Sequence, residues 1–89
     1  MLEMDPETVF WRLAEQIRAA RTQRGLTQAQ LARKARVSRL TLIKLERGAP
    51  SVAAGAYVDV ACAMGFEFAM VPKRMPTMEE AREIFAGDG

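Results

Sequence analysis

The sequence contains no histidine and only one cysteine, Cys62. One cysteine cannot form a disulfide within the chain, and the usual zinc-binding sets of cysteine and histidine are excluded with it. Glycine-rich phosphate loops and paired acidic residues in an obvious cleft are missing too. We therefore expect no metal site, no cofactor and no enzymatic activity.

Long apolar runs are also absent. No stretch approaches the roughly 20 residues that a membrane-spanning helix needs. The start, MLEMDPET, is acidic and lacks the basic and apolar regions of a signal peptide. We expect a soluble cytoplasmic protein with no membrane partner. A chain of 89 residues forms one small domain with a marginal core, so we expect oligomerisation to add stability.

Charge is unevenly distributed along the chain, although the net charge is only +2. Residues 12–47 include ten basic and two acidic side chains, a net charge of +8, and the remainder has a net charge of −6. A basic block between acidic ends is typical of a surface that binds a polyanion. A solvated helical surface would have the same composition, so charge alone leaves both interpretations open.

Apolar periodicity predicts three helices in the first half of the chain. The first starts at the Asp5–Pro6 pair and runs over Pro6–Arg24. Thr27 caps a second helix over Gln28–Ala35. Ser38 caps a third helix that continues until Gly48. The second and third helices are joined by so short a turn that they must cross at a steep angle, as in a helix-turn-helix.

The second half begins with a fourth helix, over Val52–Met64, which Ser51 is expected to cap. The segment is almost wholly apolar, which predicts a central, buried helix. Cys62 is accordingly expected to be buried and inert.

The segment after Gly65 alternates partly at period two and predicts a strand over Phe66–Val71. A lone strand leaves backbone groups unpaired, so we expect it to pair with its own copy in a two-fold dimer. The side chains expected at this pairing are those of Phe66, Phe68, Met70 and Val71. A capping box at Thr77–Glu80 predicts a short tail helix, or a mobile tail. The chain thus divides into a binding and dimerisation domain, 5–71, and a tail, 72–89.

The motif LTQAQLA…VSRLTLIKLERG resembles the Cro/C1-type (XRE) helix-turn-helix DNA-binding family over about residues 13–70. The resemblance implies an all-α, lambda-repressor-like domain of four to five helices and a sequence-specific repressor that binds double-stranded operator DNA as a homodimer. The fourth helix followed by GFEFAMVP looks like the HipB-type antitoxins, whose strand pairs across the dimer and which bind a HipA-like toxin kinase. A solitary phage-type or housekeeping regulator without a toxin remains the alternative.

Residues near the start of a helix in the major groove reach base edges. In the third helix these are Ser38, Arg39, Leu40, Thr41 and Lys44. Arg39 can donate two hydrogen bonds to a guanine, and Leu40 can contact a thymine methyl group.

Thr27 and Gln28 stand at the start of the second helix, where free amides and the helix dipole favour a phosphate. The resemblance implies that Gln28 grips the DNA backbone and braces the third helix. Arg18 and Arg47 are further phosphate candidates, although both could equally be solvated surface charges.

Glu46 is the one acidic residue in the second half of the basic block. A glutamate beside DNA would weaken binding, so it should face a cation rather than a phosphate. The family pattern pairs this acid with an arginine of the first helix, which in this sequence is Arg21. We therefore expect an Arg21–Glu46 ion pair.

Overall fold

The computed structural model describes residues 5–72, and this part of the chain is all-α. It comprises four helices, α1 (Pro6–Gln23), α2 (Gln28–Ala35), α3 (Arg39–Leu45) and α4 (Ala54–Ala63). The predicted bounds of the first two helices hold to within one residue, whereas α3 ends sooner than expected. The helix predicted to begin at Thr77 lies outside the described residues.

Side-chain caps determine where the first three helices begin, as the sequence predicted. Asp5 accepts a hydrogen bond from the Thr8 amide at 2.8 Å, and the bonds from Thr8 lower the pKa of this carboxyl group. Thr27 and Gln30 form a reciprocal capping box, and the Ser38 hydroxyl accepts from the Thr41 amide at 3.0 Å. Each cap satisfies amides that a helix start otherwise leaves unpaired.

The core lies where α2, α3 and α4 meet against α1. Four side chains are fully buried in it: Leu31, Leu42, Leu45 and Val60. Tyr57 fills the gap beside Phe10, with ring centroids 5.9 Å apart, and its hydroxyl donates to the Ala49 carbonyl at 3.0 Å. Burial raises the pKa of this tyrosine. The neighbouring Trp11, in contrast, is exposed.

Helix α4 differs from its prediction in two respects. Ser51 is not its cap: the helix begins after Ala53, which makes no side-chain capping bond. Nor is α4 buried all round, because Tyr57, Val60 and Ala61 face the core while Val58 is 43% exposed. In so small a bundle the other helices can cover only one face of α4.

Cys62 is exposed, so the prediction of a buried cysteine is wrong. The buried residues of α4 recur at three and four residue steps, and Cys62 lies one step beyond Ala61, off that face. Because nearly all residues of α4 are apolar, its composition did not indicate which face is buried.

The segment that follows α4 forms no strand within the described single chain. The backbone amide of Phe66 donates to the Ala61 carbonyl at 2.9 Å, and the Arg24 guanidinium lies 4.8 Å from the centroid of the Phe66 ring. Beyond this anchor the apolar side chains are exposed, Met70 to 96%. One copy provides no neighbouring strand, so pairing across a dimer stays a prediction.

Within residues 5–72 no helix has the length and apolar content needed to cross a membrane.

Two glycines with positive φ occupy different surroundings. Gly25, after α1, has φ +69°, and a Cβ atom there would meet nothing within 4 Å. Gly48, after α3, has φ +77°, and a Cβ atom there would lie 3.2 Å from the Cα atom of Trp11. Gly48 therefore lets the end of α3 approach the backbone of α1 closely.

One non-glycine residue of the described chain, Arg36, also has a positive φ, +61°. It occupies the left-handed region immediately after α2. That conformation costs an L-residue about 1–2 kcal/mol.

Replacing each of these two glycines with alanine distinguishes the cost of backbone strain from the cost of steric crowding. Gly25→Ala should cost about 1–2 kcal/mol, because only the left-handed conformation opposes it. Gly48→Ala should cost roughly 1–3 kcal/mol more, because its Cβ atom presses on helix backbone that cannot easily move. Urea unfolding of both variants measures the difference. Equal losses would show that the approach of α3 to α1 is not tight.

Candidate nucleic-acid interface

The turn between α2 and α3 is fixed by backbone hydrogen bonds. The Arg36 amide donates to the Arg33 carbonyl at 3.2 Å, and the Val37 amide donates to the Ala32 carbonyl at 3.0 Å. Val37 is half-buried and packs against the core. The chain thus makes a tight turn within residues 36–38, and α3 begins after its cap, Ser38.

Helix α3 is anchored on one side and open on the other. Leu42 and Leu45 are completely buried, whereas Arg39, Leu40 and Lys44 are exposed, Leu40 to 60%. Hydrogen bonds and ion pairs within residues 5–72 involve neither of the two basic side chains. The structure therefore places these three predicted base-contacting side chains at the surface, on a helix held by the core.

Ser38 and Thr41 are engaged in the cap of the same helix. The Ser38 hydroxyl donates to the Thr41 hydroxyl at 2.8 Å while accepting from the Thr41 amide. Ser38 is exposed and Thr41 half-buried, and both hydroxyls take part in the cap.

Glu46 is the one buried charged residue of the described chain, with 4% of its surface exposed. Arg21 contacts it with two nitrogens, Nε at 2.7 Å from Oε2 and Nη2 at 3.2 Å from Oε1. The remaining Arg21 nitrogen, Nη1, donates to the Leu26 carbonyl at 2.9 Å. The two side chains paired in the sequence analysis thus meet in a bidentate geometry, which fixes orientation as well as distance.

Gln28 is a further partner of Glu46, and residue patterns alone did not indicate it. Its Nε2 atom donates to Glu46 Oε1 at 3.0 Å, so the first residue of α2 touches the end of α3. This hydrogen bond links the start of α2 to the end of α3, while the bracing role implied for Gln28 stays a prediction. The amides of Gln28 and Ala29 have no acceptor within the described residues, and they remain available to an anion at the start of α2.

The two arginines proposed as phosphate contacts lie near the same cluster. Arg18 Nη1 donates to the backbone carbonyl of Glu46 at 3.2 Å, and the rest of its side chain is exposed. Arg47 follows Glu46 and is exposed. Thr27, the cap of α2, is exposed as well, with its hydroxyl occupied by the Gln30 amide.

The burial of Glu46 explains how an acidic residue can occur within a basic block without facing a DNA phosphate. Its carboxylate accepts hydrogen bonds from Arg21 and Gln28, and the residue is buried. The exposed charges from α2 to the end of α3 are consequently all basic: Arg33, Lys34, Arg36, Arg39, Lys44 and Arg47. No group of three or more potential metal ligands occurs among residues 5–72.

A family model described as helix-turn-helix matches residues 17–69, more than half of the chain. The chain belongs to the helix-turn-helix family, of the Cro/C1 (XRE) type. This family is one of sequence-specific DNA-binding transcription regulators, which are generally non-enzymatic. No curated protein and no solved structure gave a significant match.

The match of this helix-turn-helix protein extends from the second half of α1 into the segment after α4. It includes the Arg21–Gln28–Glu46 cluster and all of α3. The cluster therefore lies inside the family domain, and the whole tail, residues 72–89, lies outside it.

Removing the cation from the cluster should destabilise the domain strongly. Arg21→Ala leaves the buried Glu46 carboxylate with Gln28 alone, and an unpaired buried charge costs about 3–5 kcal/mol. Because Arg21 keeps 13% of its side-chain surface exposed, we expect the lower end of that range. Chemical denaturation measures the loss.

Arg18→Ala is the matched control, because it removes the same charge from the same helix. It breaks one hydrogen bond to a carbonyl, which is worth about 1 kcal/mol or less at an exposed site. If Arg21→Ala is no more destabilising than Arg18→Ala, the buried ion pair contributes nothing to stability beyond the effect of one positive charge on α1.

Proposed function

We propose that this protein is a homodimeric transcriptional repressor that reads its operator with α3. The observation that carries this proposal is the two-sided character of α3. Leu42 and Leu45 hold one face in the core, and Arg39, Leu40 and Lys44 stand on the other without intrachain polar partners among residues 5–72. A B-DNA major groove admits one such helix.

Arg39 and Leu40 supply different base contacts in this proposal. The guanidinium of Arg39 donates two hydrogen bonds to guanine O6 and N7, and Leu40 packs on a thymine methyl group. Lys44, one turn later, reaches a further base or phosphate. Ser38 and Thr41 contribute their hydroxyls at the start of the same helix.

Phosphate contacts fix the orientation of α3 but carry no sequence information. The free amides of Gln28 and Ala29, at the positive end of the α2 dipole, bind one phosphate, with Thr27 alongside. Arg18 and Arg47 bind phosphates near the end of α3. Because Gln28 also bonds to Glu46, a phosphate bound there is coupled to the placement of α3.

The proposal is tested by gel retardation with a duplex selected from a random pool, over a series of salt concentrations. We expect log affinity to fall linearly with log salt, by about 0.9 for each phosphate contact. Arg39→Ala should weaken binding to the selected duplex about tenfold to a hundredfold, because a bidentate base contact contributes roughly 1–3 kcal/mol.

Arg39→Lys is the control for charge. It keeps the positive charge but not the planar fork, so selectivity between guanine and other bases should fall while the salt dependence persists. If the wild-type chain selects no sequence from the pool, the repressor proposal is wrong.

The second copy of the dimer is proposed to bind at an apolar groove beside the segment 66–71. The groove encloses about 720 Å³ and is lined by α1, the end of α4 and the segment itself, including Leu13, Ile17, Met64 and Phe68. The stack of Arg24 on Phe66 holds the start of the segment in place. Its further backbone groups and apolar side chains are exposed, and pairing of two copies as strands would cover both.

A charge in this segment should separate the copies. Phe68→Asp introduces a carboxylate where two apolar segments meet, so we expect a monomer by sedimentation velocity and a large loss of operator affinity. Val58→Asp is a matched control, because Val58 and Phe68 are both 43% exposed but Val58 lies on the outer face of α4. A monomeric wild type, or a dimeric Phe68→Asp variant, would contradict this arrangement.

A finer hypothesis is that the repressor is the antitoxin of a toxin–antitoxin pair and binds a HipA-like kinase toxin. Its support is the sequence order of an apolar fourth helix, the GFEFAMVP segment and an acidic tail. Co-expression with a kinase-like gene product from the same operon tests it, and deletion of residues 77–89 should abolish co-purification. Failure of the full chain to bind such a kinase, or absence of such a gene, favours the solitary regulator.

A further inference from the structure

Arg36 is an unusual residue for its place in the fold. Positive φ angles occur at four positions of the described chain, and the other three, Gly25, Gly48 and Gly65, are glycines. Glycine adopts this conformation without strain, whereas an arginine does not. The chain therefore carries a strained arginine where its other turns of this kind carry glycine.

Backbone bonding, and not the side chain, determines the conformation of this residue. The Arg36 amide bonds back to the carbonyls of Ala32 and Arg33, and the next amide, of Val37, bonds to Ala32. This is the usual left-handed end of a helix, for which glycine or asparagine is the favoured residue. The tight turn thus needs the conformation but not the arginine.

The side chain of Arg36 has no visible structural task. It is exposed, and within residues 5–72 it takes part in no hydrogen bond or ion pair. A cation near a helix C-terminus interacts well with the helix dipole, but Arg33 and Lys34 already provide this in the last turn of α2. Its charge is therefore free to act on something outside the fold.

The position of Arg36 in the chain indicates what its charge acts on. Arg36 is exposed and lies two residues before Ser38, the cap of α3, so it is close in the chain to the start of the helix that carries the exposed Arg39 and Leu40. An arginine fork suits the geometry of a phosphate group. We propose that Arg36 binds a phosphate of the DNA backbone next to the groove that α3 enters. This inference rests on the DNA-binding function proposed above.

The test measures the salt dependence of binding by the full chain to a mixed-sequence duplex of about 30 base pairs, since a phosphate contact is independent of sequence. Arg36→Gly and Arg36→Asn remove the charge and suit a left-handed residue, so both should fold with an unchanged or higher Tm. Each should bind at least about threefold more weakly, with the slope of log affinity against log salt reduced by roughly 1. Arg36→Lys should keep the slope of the wild type.

Arg33→Ala is the matched control for charge alone, because it removes an exposed arginine from the preceding turn. The proposal requires a smaller change of slope there than in Arg36→Gly. An unchanged slope in the glycine and asparagine variants, an equal loss in Arg33→Ala, or a reduced slope in Arg36→Lys overturns it. A wild type that fails to bind the duplex at low salt would instead refute DNA binding itself.

Discussion

The arrangement of the first three helices depends on one buried carboxylate. Glu46, at the end of α3, binds Arg21 of α1 and Gln28 of α2, and Arg21 also binds the Leu26 carbonyl in the loop between those helices. A buried charge is tolerated only when its hydrogen bonds are complete. An alternative packing that separated these helices would leave the Glu46 carboxylate buried and unpaired. No buried side-chain polar atom of the described residues lacks a partner. The cluster therefore favours a single orientation of α3 relative to α1 and α2.

That constraint matters because α3 is too short to be stable alone. An isolated helix of 7 residues is unstable in water. Its conformation comes from Leu42 and Leu45 in the core, the Ser38 cap and the Glu46 cluster at its end. Since these anchors occupy one face and both ends, the other face is already formed before any ligand arrives. A preformed face loses little conformational entropy on binding.

A second constraint is the small size of the domain. Helix α4 buries one face only, and the segment after it exposes Phe66, Phe68, Met70 and Val71. Contiguous exposed apolar surface of this kind usually marks an interaction site. The exposed basic side chains of α2 and α3 and the apolar groove beside α1 and α4 belong to different helices of this small domain. A dimer formed through the groove would thus leave the α3 face of each copy open.

The sequence by itself determined the features that depend on neighbouring residues. The caps at Asp5, Thr27 and Ser38 and the ends of the first two helices follow from local hydrogen bonding and apolar spacing. The Arg21–Glu46 pair was accessible only through the family resemblance, because periodicity does not relate residues 25 positions apart. The start of α4 after Ala53 and the left-handed conformation of Arg36 were visible only in the structure. Tertiary structure decided the exposure of Cys62 and the contact of Gln28 with Glu46, because each depends on which faces of the helices meet, and composition carries no information about that direction.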